Sequence, residues 1–342
     1  MNKLYMVIAL NLIGSMLLAQ DCARNLIEAR QAYYNGEFVR VVSLLKCLPE
    51  LDNEEDLADA LELQVNANLL LGNKEDADAG MLHLLTEKPF YKPRTTDLVK
   101  YEQLFESYEI VKKFDFTFFL GSNSPQYHVL QYRSYSSITE EPEDYETSVG
   151  LLLGFGADLM ITQNLYLSTG LTYQTSSYNY TEGIMDFQQV GVNEKFQHLS
   201  FPLLGGFQWK IGPFDAFVVG GGSLHFLLTA RGDIELFGQN PEITTPLNGL
   251  ARKITNQDLS GQKRVLIPSY TAGLGLRRNI GLYGVSLSLH YDFGLRNVID
   301  ADKRYTDVKL QQEYSYIADD FKVDYLQLKF GFTRHILYPK KR

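Results

Sequence analysis

Long apolar runs are what this sequence lacks. Beyond the first twenty residues no stretch approaches the ~18 apolar residues of a membrane-crossing helix, so a bundle of spanning helices is excluded. Positive charge is also short. The 32 Lys and Arg stand against 41 Asp and Glu, a net charge of −9, and a nucleic-acid partner is not expected because phosphate neutralisation needs a basic surface. With only two cysteines, at most one internal disulfide can form. The 45% apolar and 21% charged content rules out a chain too polar to fold.

What is present begins with compartment. Lys3, the apolar stretch Leu4 to Leu18, and small-residue cleavage options between Ser15 and Gln20 read as a signal peptide over residues 1–20. Cys22 follows closely, but Gln20 and Asp21 are not the small residues that precede a lipidated cysteine. A chain of 342 residues has room for about two domains. The mean hydropathy of −0.17 suits a soluble protein. It suits a β-barrel equally, because barrel strands expose only alternate residues to lipid. The 13% aromatic content fits interfacial girdles.

Residues 21–110 carry helical periodicity. Ala23, Leu26, Ile27 and Tyr33–Tyr34 share one face before Asn35–Gly36; Phe38, Val41, Val42, Leu45 and Leu48 form a second, ended near Pro49. Leu57, Leu61, Val65 and Leu69 repeat the pattern up to Gly72–Asn73, followed by Ala77, Met81, Leu84 and Leu85. A last helix, opened at Asp97, puts Leu98, Tyr101, Leu104, Phe105 and Tyr108 on one side. Cys22 and Cys47 fall at the two open ends of a hairpin turning at Gly36, which predicts a disulfide in an oxidising compartment. The alternative is two small buried apolar residues.

From Lys113 the period changes to two. Phe114, Phe116 and Phe118; Leu151, Leu153 and Phe155; Leu165, Leu167 and Leu171; Leu199, Phe201 and Leu203 each alternate with polar residues or glycine. So do Leu224, Phe226 and Leu228; Tyr270, Leu274 and Leu276; Val285, Leu287 and Leu289; and Leu326, Leu328 and Phe330. Eight such segments over residues 113–336 are each long enough to cross a bilayer. The turns at Ile161–Asn164, Gly212–Pro213 and Arg278–Gly281 are short; the links 122–147, 178–195, 231–263 and 296–320 are long and polar. That short/long alternation turns the apolar faces toward lipid, with the short turns periplasmic. The expected fold is therefore α+β in two domains: α-helical repeats, then an eight-stranded antiparallel transmembrane β-barrel. A basic tail over 337–342 closes the chain.

Two family resemblances attach to these residues. Gly36 and Gly72 lie 36 residues apart, near the 34-residue tetratricopeptide period, and Ala77, Leu84 and Pro89 match the second helix of such a repeat. The helical segment thus resembles degenerate TPR repeats, although Val41 and the early Pro49 depart from the pattern in the first unit. The stretch Leu199-Ser200-Phe201-Pro202-Leu203-Leu204, the Gly212–Pro213 turn, and Phe217 to Gly222 resemble the PorT-like outer-membrane barrels. Asn164–Tyr173 and Tyr325–Phe332 are similar to it too. This second resemblance implies a barrel that anchors an envelope complex, with one branch tied to protein secretion.

The inward positions hold Asp115, Asp158, His198, His225, Arg277, His290, Asp292 and Lys329, expected as a paired polar network filling a barrel too narrow for a channel. A three-histidine metal site from His198, His225 and His290 lacks any supporting spacing. His290 and Asp292 with Ser286 or Ser288 imitate a hydrolase triad on one strand. Gly220–Gly222 is not a phosphate loop, having no following helix or Lys-Ser/Thr. The acidic run Glu140 to Glu146 lacks EF-hand spacing and reads as a solvated loop. Trp209 is expected in the periplasmic aromatic girdle, Tyr173 and Tyr178 in the outer one.

The function expected is a non-enzymatic anchor without a cofactor. It sits in outer-membrane lipid of a Gram-negative-type envelope, its periplasmic helical domain binding an envelope protein partner. Two alternatives stand beside it: a lumen- or leaflet-facing enzyme or ligand carrier, and a surface receptor using the long loops.

Overall fold

The computed structural model describes residues 22–342 apart from 52, 95–97, 134–144, 185–187 and 239–251. The segment expected to be a signal peptide, Asp97 and Glu140 to Asp144 lie outside the described residues. The chain divides into two compact units, one running up to Lys112 and including Leu337–Arg342, the other Lys113–Ile336.

The first unit is helical: α1 (22–34), α2 (Phe38–Leu44), α3 (Glu54–Leu71), α4 (Lys74–Glu87) and α5 (Val99–Glu106). Gly36 and Gly72 take positive φ at the turns within the two pairs, a conformation that β-carbons disfavour. Asn53 caps α3 by accepting from the Glu55 backbone N–H. The pairs are unequal. α2 lasts seven residues and passes into a 3₁₀ turn at Leu45–Glu50, where Pro49 falls. The structure therefore shows two helix pairs of unequal length rather than two matched repeats. Leu26, Val41, Leu61, Val65, Met81 and Tyr101 share one core, and Gly80 lets α4 close on α3, since a Cβ there would sit 2.8 Å from the Val65 side chain. Cys22 and Cys47 are joined as a disulfide, with Cα atoms 5.7 Å apart. Closing that loop is worth roughly 3 kcal/mol.

The second unit is a ring. β1 (Tyr108–Gln131), β3 (Gly150–Met160), β4 (Leu165–Ile184), β5 (Gln188–Ile211), β6 (Phe214–Gly238), β8 (Leu266–Ile280), β9 (Tyr283–Gly294) and β10 (Asp320–Lys341) run in the order β4-β3-β1-β10-β9-β8-β6-β5, and β4 pairs with β5 to close it. Short β2 (Glu146–Ser148) and β7 (Arg252–Asp258) extend the wall on β4 and β6. Helix α6 (Val308–Tyr314) lies in the last long connection.

Two expected boundaries move. β1 starts at Tyr108, and β10 continues to Lys341, so the supposed basic tail is the end of a strand. Its backbone explains this: Arg342 N–H donates to Ser107 O at 2.8 Å, and Lys341 reaches Asp78 at 2.6 Å. The supposed loops 178–195 and 231–263 are also strand in part, because β4 pairs with β5 out to Ile184–Gln188 and β6 with β7. At 20, 24 and 25 residues, β4, β5 and β6 far exceed the ~10 residues that cross a bilayer.

Leu151 is 72% exposed, Leu203 60% and Leu274 60%, whereas the inward Asp115, Gln174, Gln327 and Thr333 are buried. Apolar outside and polar inside is the arrangement of a wall that faces hydrocarbon. No helix among the described residues is long and apolar enough to cross a membrane.

Candidate functional site: the barrel interior

Inside the ring the polar residues sort into levels. Nearest the short turns is a floor. Arg277 on β8 donates to Asp115 at 2.7 Å and to Asp158 at 3.2 Å, from β1 and β3. His335 on β10 meets Asp115 at 2.6 Å and Asn279 at 2.9 Å, and Asn279 donates to Asp215 at 2.5 Å. Two carboxylates and a guanidinium are buried here, with Asp215 half-buried beside them, and such charges are tolerable only when mutually paired.

A second polar level lies further along the strands. The Gln327 amide donates to Asp292 at 2.7 Å and to Gln174 at 3.2 Å. His225 is held on both nitrogens, by Ser200 at 2.6 Å and Ser269 at 2.8 Å, with Asp292 3.9 Å away. Ser223 and Thr271 bond each other at 2.6 Å. Between the two levels lies a chamber of about 90 Å³ open to water-sized occupants, into which Ser288, His290 and Lys329 project.

The eight inward residues expected from sequence thus fall into separate groups. Asp115, Asp158 and Arg277 meet; His225 and Asp292 share the second level; His290 and Lys329 line the chamber. His198 lines a second cavity with His225 but does not bond to it; it is stacked on Phe196 with its Nδ1 unpartnered. The three histidines do not converge: His225 has committed both nitrogens to hydroxyls, leaving no lone pair for a metal. The triad is incomplete as well. His290 Nε2 meets Ser288 Oγ at 3.0 Å, but Asp292 turns to Gln327 and the His290 Nδ1 has no partner. Nothing orients the imidazole as a base.

At the other end the mouth is filled by a folded cap. Tyr178, Tyr180, Phe196, Ile234, Tyr316 and Phe321 belong to one apolar core. In its midst Lys263 Nζ donates to Glu194 at 2.9 Å, both side chains at 0% exposure, and Tyr178 donates to the same carboxylate oxygen at 2.5 Å. Lys263 also lies 5.4 Å from the Phe196 and Phe321 ring centres. Burial, reinforced by the Glu194 carboxylate, pushes the Tyr178 hydroxyl well up, so it stays a donor. Around the core, Asp320 gathers Arg133, Arg304 and Asn297, while Asp319 accepts from the Arg133 backbone and from Tyr145. Tyr178, expected in the outer girdle, is thus a buried cap residue, because β4 has left the hydrocarbon before it arrives. Tyr173 keeps its outward face half exposed, and Trp209, 37% exposed, stacks on Phe207 next to the Gly212 turn.

Sequence reading missed His335, Glu194 and Lys263. The first lay beyond the last counted strand pair and the others in segments read as loops. The available signal was continued alternation: Val190, Val192 and Phe196 keep the period of β5.

The fold and interior define a class, a membrane-spanning eight-stranded β-barrel of the outer-membrane type. The chain matches no protein-family model and no curated protein sequence. Among solved structures it is similar to the outer membrane protein OprG from Pseudomonas aeruginosa, at 10% identity and TM-score 0.36, covering 68% of this chain and 98% of that one. The outer membrane protease OmpT from Escherichia coli is similar at 9% identity and TM-score 0.30, over 65% and 96% of the two chains. Ail of Yersinia pestis is similar at 11% identity and TM-score 0.25, over 65% and 99%. At these identities and scores the likenesses say nothing about activity.

Proposed function

We propose that the protein is a non-enzymatic outer-membrane anchor whose helical unit, on the periplasmic side, binds an envelope protein. The observation that carries this reading is where the molecule keeps unsatisfied surface. The barrel interior is bonded at two levels and capped, so it offers no through passage. The helical unit leaves Tyr34 at 88%, Val39 at 70% and Phe90 at 60% exposure, and Val39, Phe38 and Leu71 line a shallow groove beside Gly36. Exposed aromatic and aliphatic side chains around a groove mark a protein-binding face. The TPR-like pattern, whose repeats present such surfaces, and the PorT-like resemblance, in which barrels anchor envelope complexes, point the same way.

The test is copurification of the intact chain in mild detergent. A stoichiometric partner is expected with the native sequence and lost with Tyr34→Ala plus Val39→Asp, while the barrel keeps its heat-dependent mobility on gels. Retention of every partner by that variant overturns the reading.

A second reading rests on the Ser288–His290 contact at 3.0 Å. A lumen hydrolase would label with a serine-directed probe and lose the label with His290→Gln.

A further inference from the structure

The chamber between the two polar levels has a feature that the anchor role does not use. Lys329 projects into it from β10, with its ammonium 5.2 Å from the Phe119 ring centre; Asp292 acts on its charge, but among the described residues no carboxylate lies within ion-pair distance. Among the described residues the buried cations of the interior and cap each have an acidic partner: Arg277 has two, Lys263 has Glu194, Arg304 has Asp320, whereas the half-buried Lys329 has none. His290, 8% exposed, adds an unpartnered Nδ1, and Ser288 stands beside it. An ionisable group at membrane depth without its counter-charge is costly, and such groups mark functional sites.

The wall of this chamber is interrupted. β4 and β5 pair continuously from Leu165–Phe207 to Thr169–Leu203 and again from Thr172–Ser200, but not at Gly170 and Leu171 opposite Pro202 and Phe201. Pro202 has no N–H to offer the ladder. Its carbonyl is taken instead by the Thr169 hydroxyl at 3.0 Å. Thr169 is on the exposed, outward face, yet Thr169, Gly170 and Pro202 all line the chamber. Gly170 packs closely on β3, where a Cβ would sit 2.4 Å from the Phe155 carbonyl oxygen. With the floor bonded shut and the mouth capped, this seam is where the chamber touches the outward face of the wall, at Thr169.

We propose that the chamber is a lipid-accessible binding site for a long-chain carboxylate. The head enters through the β4–β5 seam at Gly170 and Pro202 to pair with Lys329. The chain stays along the outer apolar wall. Size fits this division: about 90 Å³ holds a carboxylate head but not an acyl chain. The charge fits too, since one carboxylate supplies the direct ion pair that no described side chain gives Lys329, and Ser288 can donate a further hydrogen bond. The site rests on the barrel spanning a membrane and not on the helical unit, so it stands or falls separately from the anchor reading.

The experiment is equilibrium and stopped-flow binding of cis-parinarate, a fluorescent long-chain carboxylate, to the full chain in detergent micelles and lipid nanodiscs. Saturable binding at one probe per chain is expected. Lys329→Met should weaken it about tenfold or more, the loss typical of a charge-assisted hydrogen bond. The methyl ester of the same probe reads that contact on the unsubstituted chain and should bind at least about tenfold more weakly by the same reasoning. Pro202→Val restores a ladder N–H and should slow association several-fold with little change in affinity; heat-dependent gel mobility checks that each variant keeps its barrel. The proposal is overturned by absence of saturable binding, by equal binding of acid and ester, by a Lys329→Met chain that binds normally, or by unchanged entry in Pro202→Val.

Discussion

The two ends of the barrel are closed by opposite means. The floor is a dense charge network, in which Arg277 bonds both Asp115 and Asp158, and Asp115 is bonded by both Arg277 and His335. The cap is an apolar core around a single ion pair, Glu194 with Lys263, assisted by Tyr178. A network spreads the damage of losing one member. A lone pair sealed in apolar surroundings concentrates it.

The sharpest way to break this comparison is Lys263→Met. It leaves the Glu194 carboxyl at 0% exposure with only Tyr178 for company, and removing one partner of a buried pair costs about 3–5 kcal/mol. The expected outcome is a cap cut by protease at concentrations that the native chain resists, while the barrel keeps its heat-dependent mobility. Replacing both Glu194 and Lys263 by apolar residues of similar size should recover much of the loss. If the single variant resists protease as the native chain does, the cap is not organised around this pair.

Phe321→Ala comes next. Phe321 is 1% exposed at the start of β10, against Tyr127, Tyr178 and the Lys263 ammonium. A cavity of that kind costs about 3 kcal/mol or more, and the same protease assay should detect it. The floor counterpart, His335→Gln, should cost less, about 2 kcal/mol, because Arg277 remains to bond Asp115. Urea titration of the folded gel band in detergent measures it. A floor variant more damaging than the cap variant would reverse the comparison.

The two ends also differed in how far the sequence revealed them. Along β5 the inward positions are polar in the membrane section, His198 and Ser200, and apolar beyond it, Val190, Val192 and Phe196. β4 does the same, with Thr172, Gln174 and Ser176 followed by Tyr178 and Tyr180. β10 runs it in reverse, from Phe321, Val323 and Tyr325 to Gln327 and Thr333. The hydrophobic alternation changes phase where the strand leaves lipid, because a wall standing in water must bury its greasy face inward while one in hydrocarbon turns it out. Reading only the outward-apolar phase found the eight crossings and the floor residues Asp115, Asp158 and Arg277. It ended each strand at the phase change, so Glu194 and Lys263 fell into supposed loops. Pairings such as His335 with Asp115, 220 positions apart in sequence, depend on ring order and have no local signature.

An exposed ion pair supplies the lower limit of the same scale. Lys341 Nζ meets Asp78 at 2.6 Å in the helical unit, with side chains 53% and 33% exposed. Burial pushes the Asp78 carboxyl up, but the hydrogen bonds from Lys341 and Tyr108 outweigh it and hold the group below its ordinary 3.8. A depressed carboxyl contributes stability that is complete above 3.8 and lost as the pH falls through the folded-state value. Lys341→Met should therefore cost the helical unit less than about 1 kcal/mol at neutral pH, because solvent screens the pair. The difference from the native chain should fade below that pH window and in molar salt. Circular dichroism melting of the full chain at neutral and acid pH reads it. A cost that persists unchanged in acid would mean that Lys341 acts through its ammonium over the Tyr108 ring, 5.8 Å from its centre, rather than through Asp78.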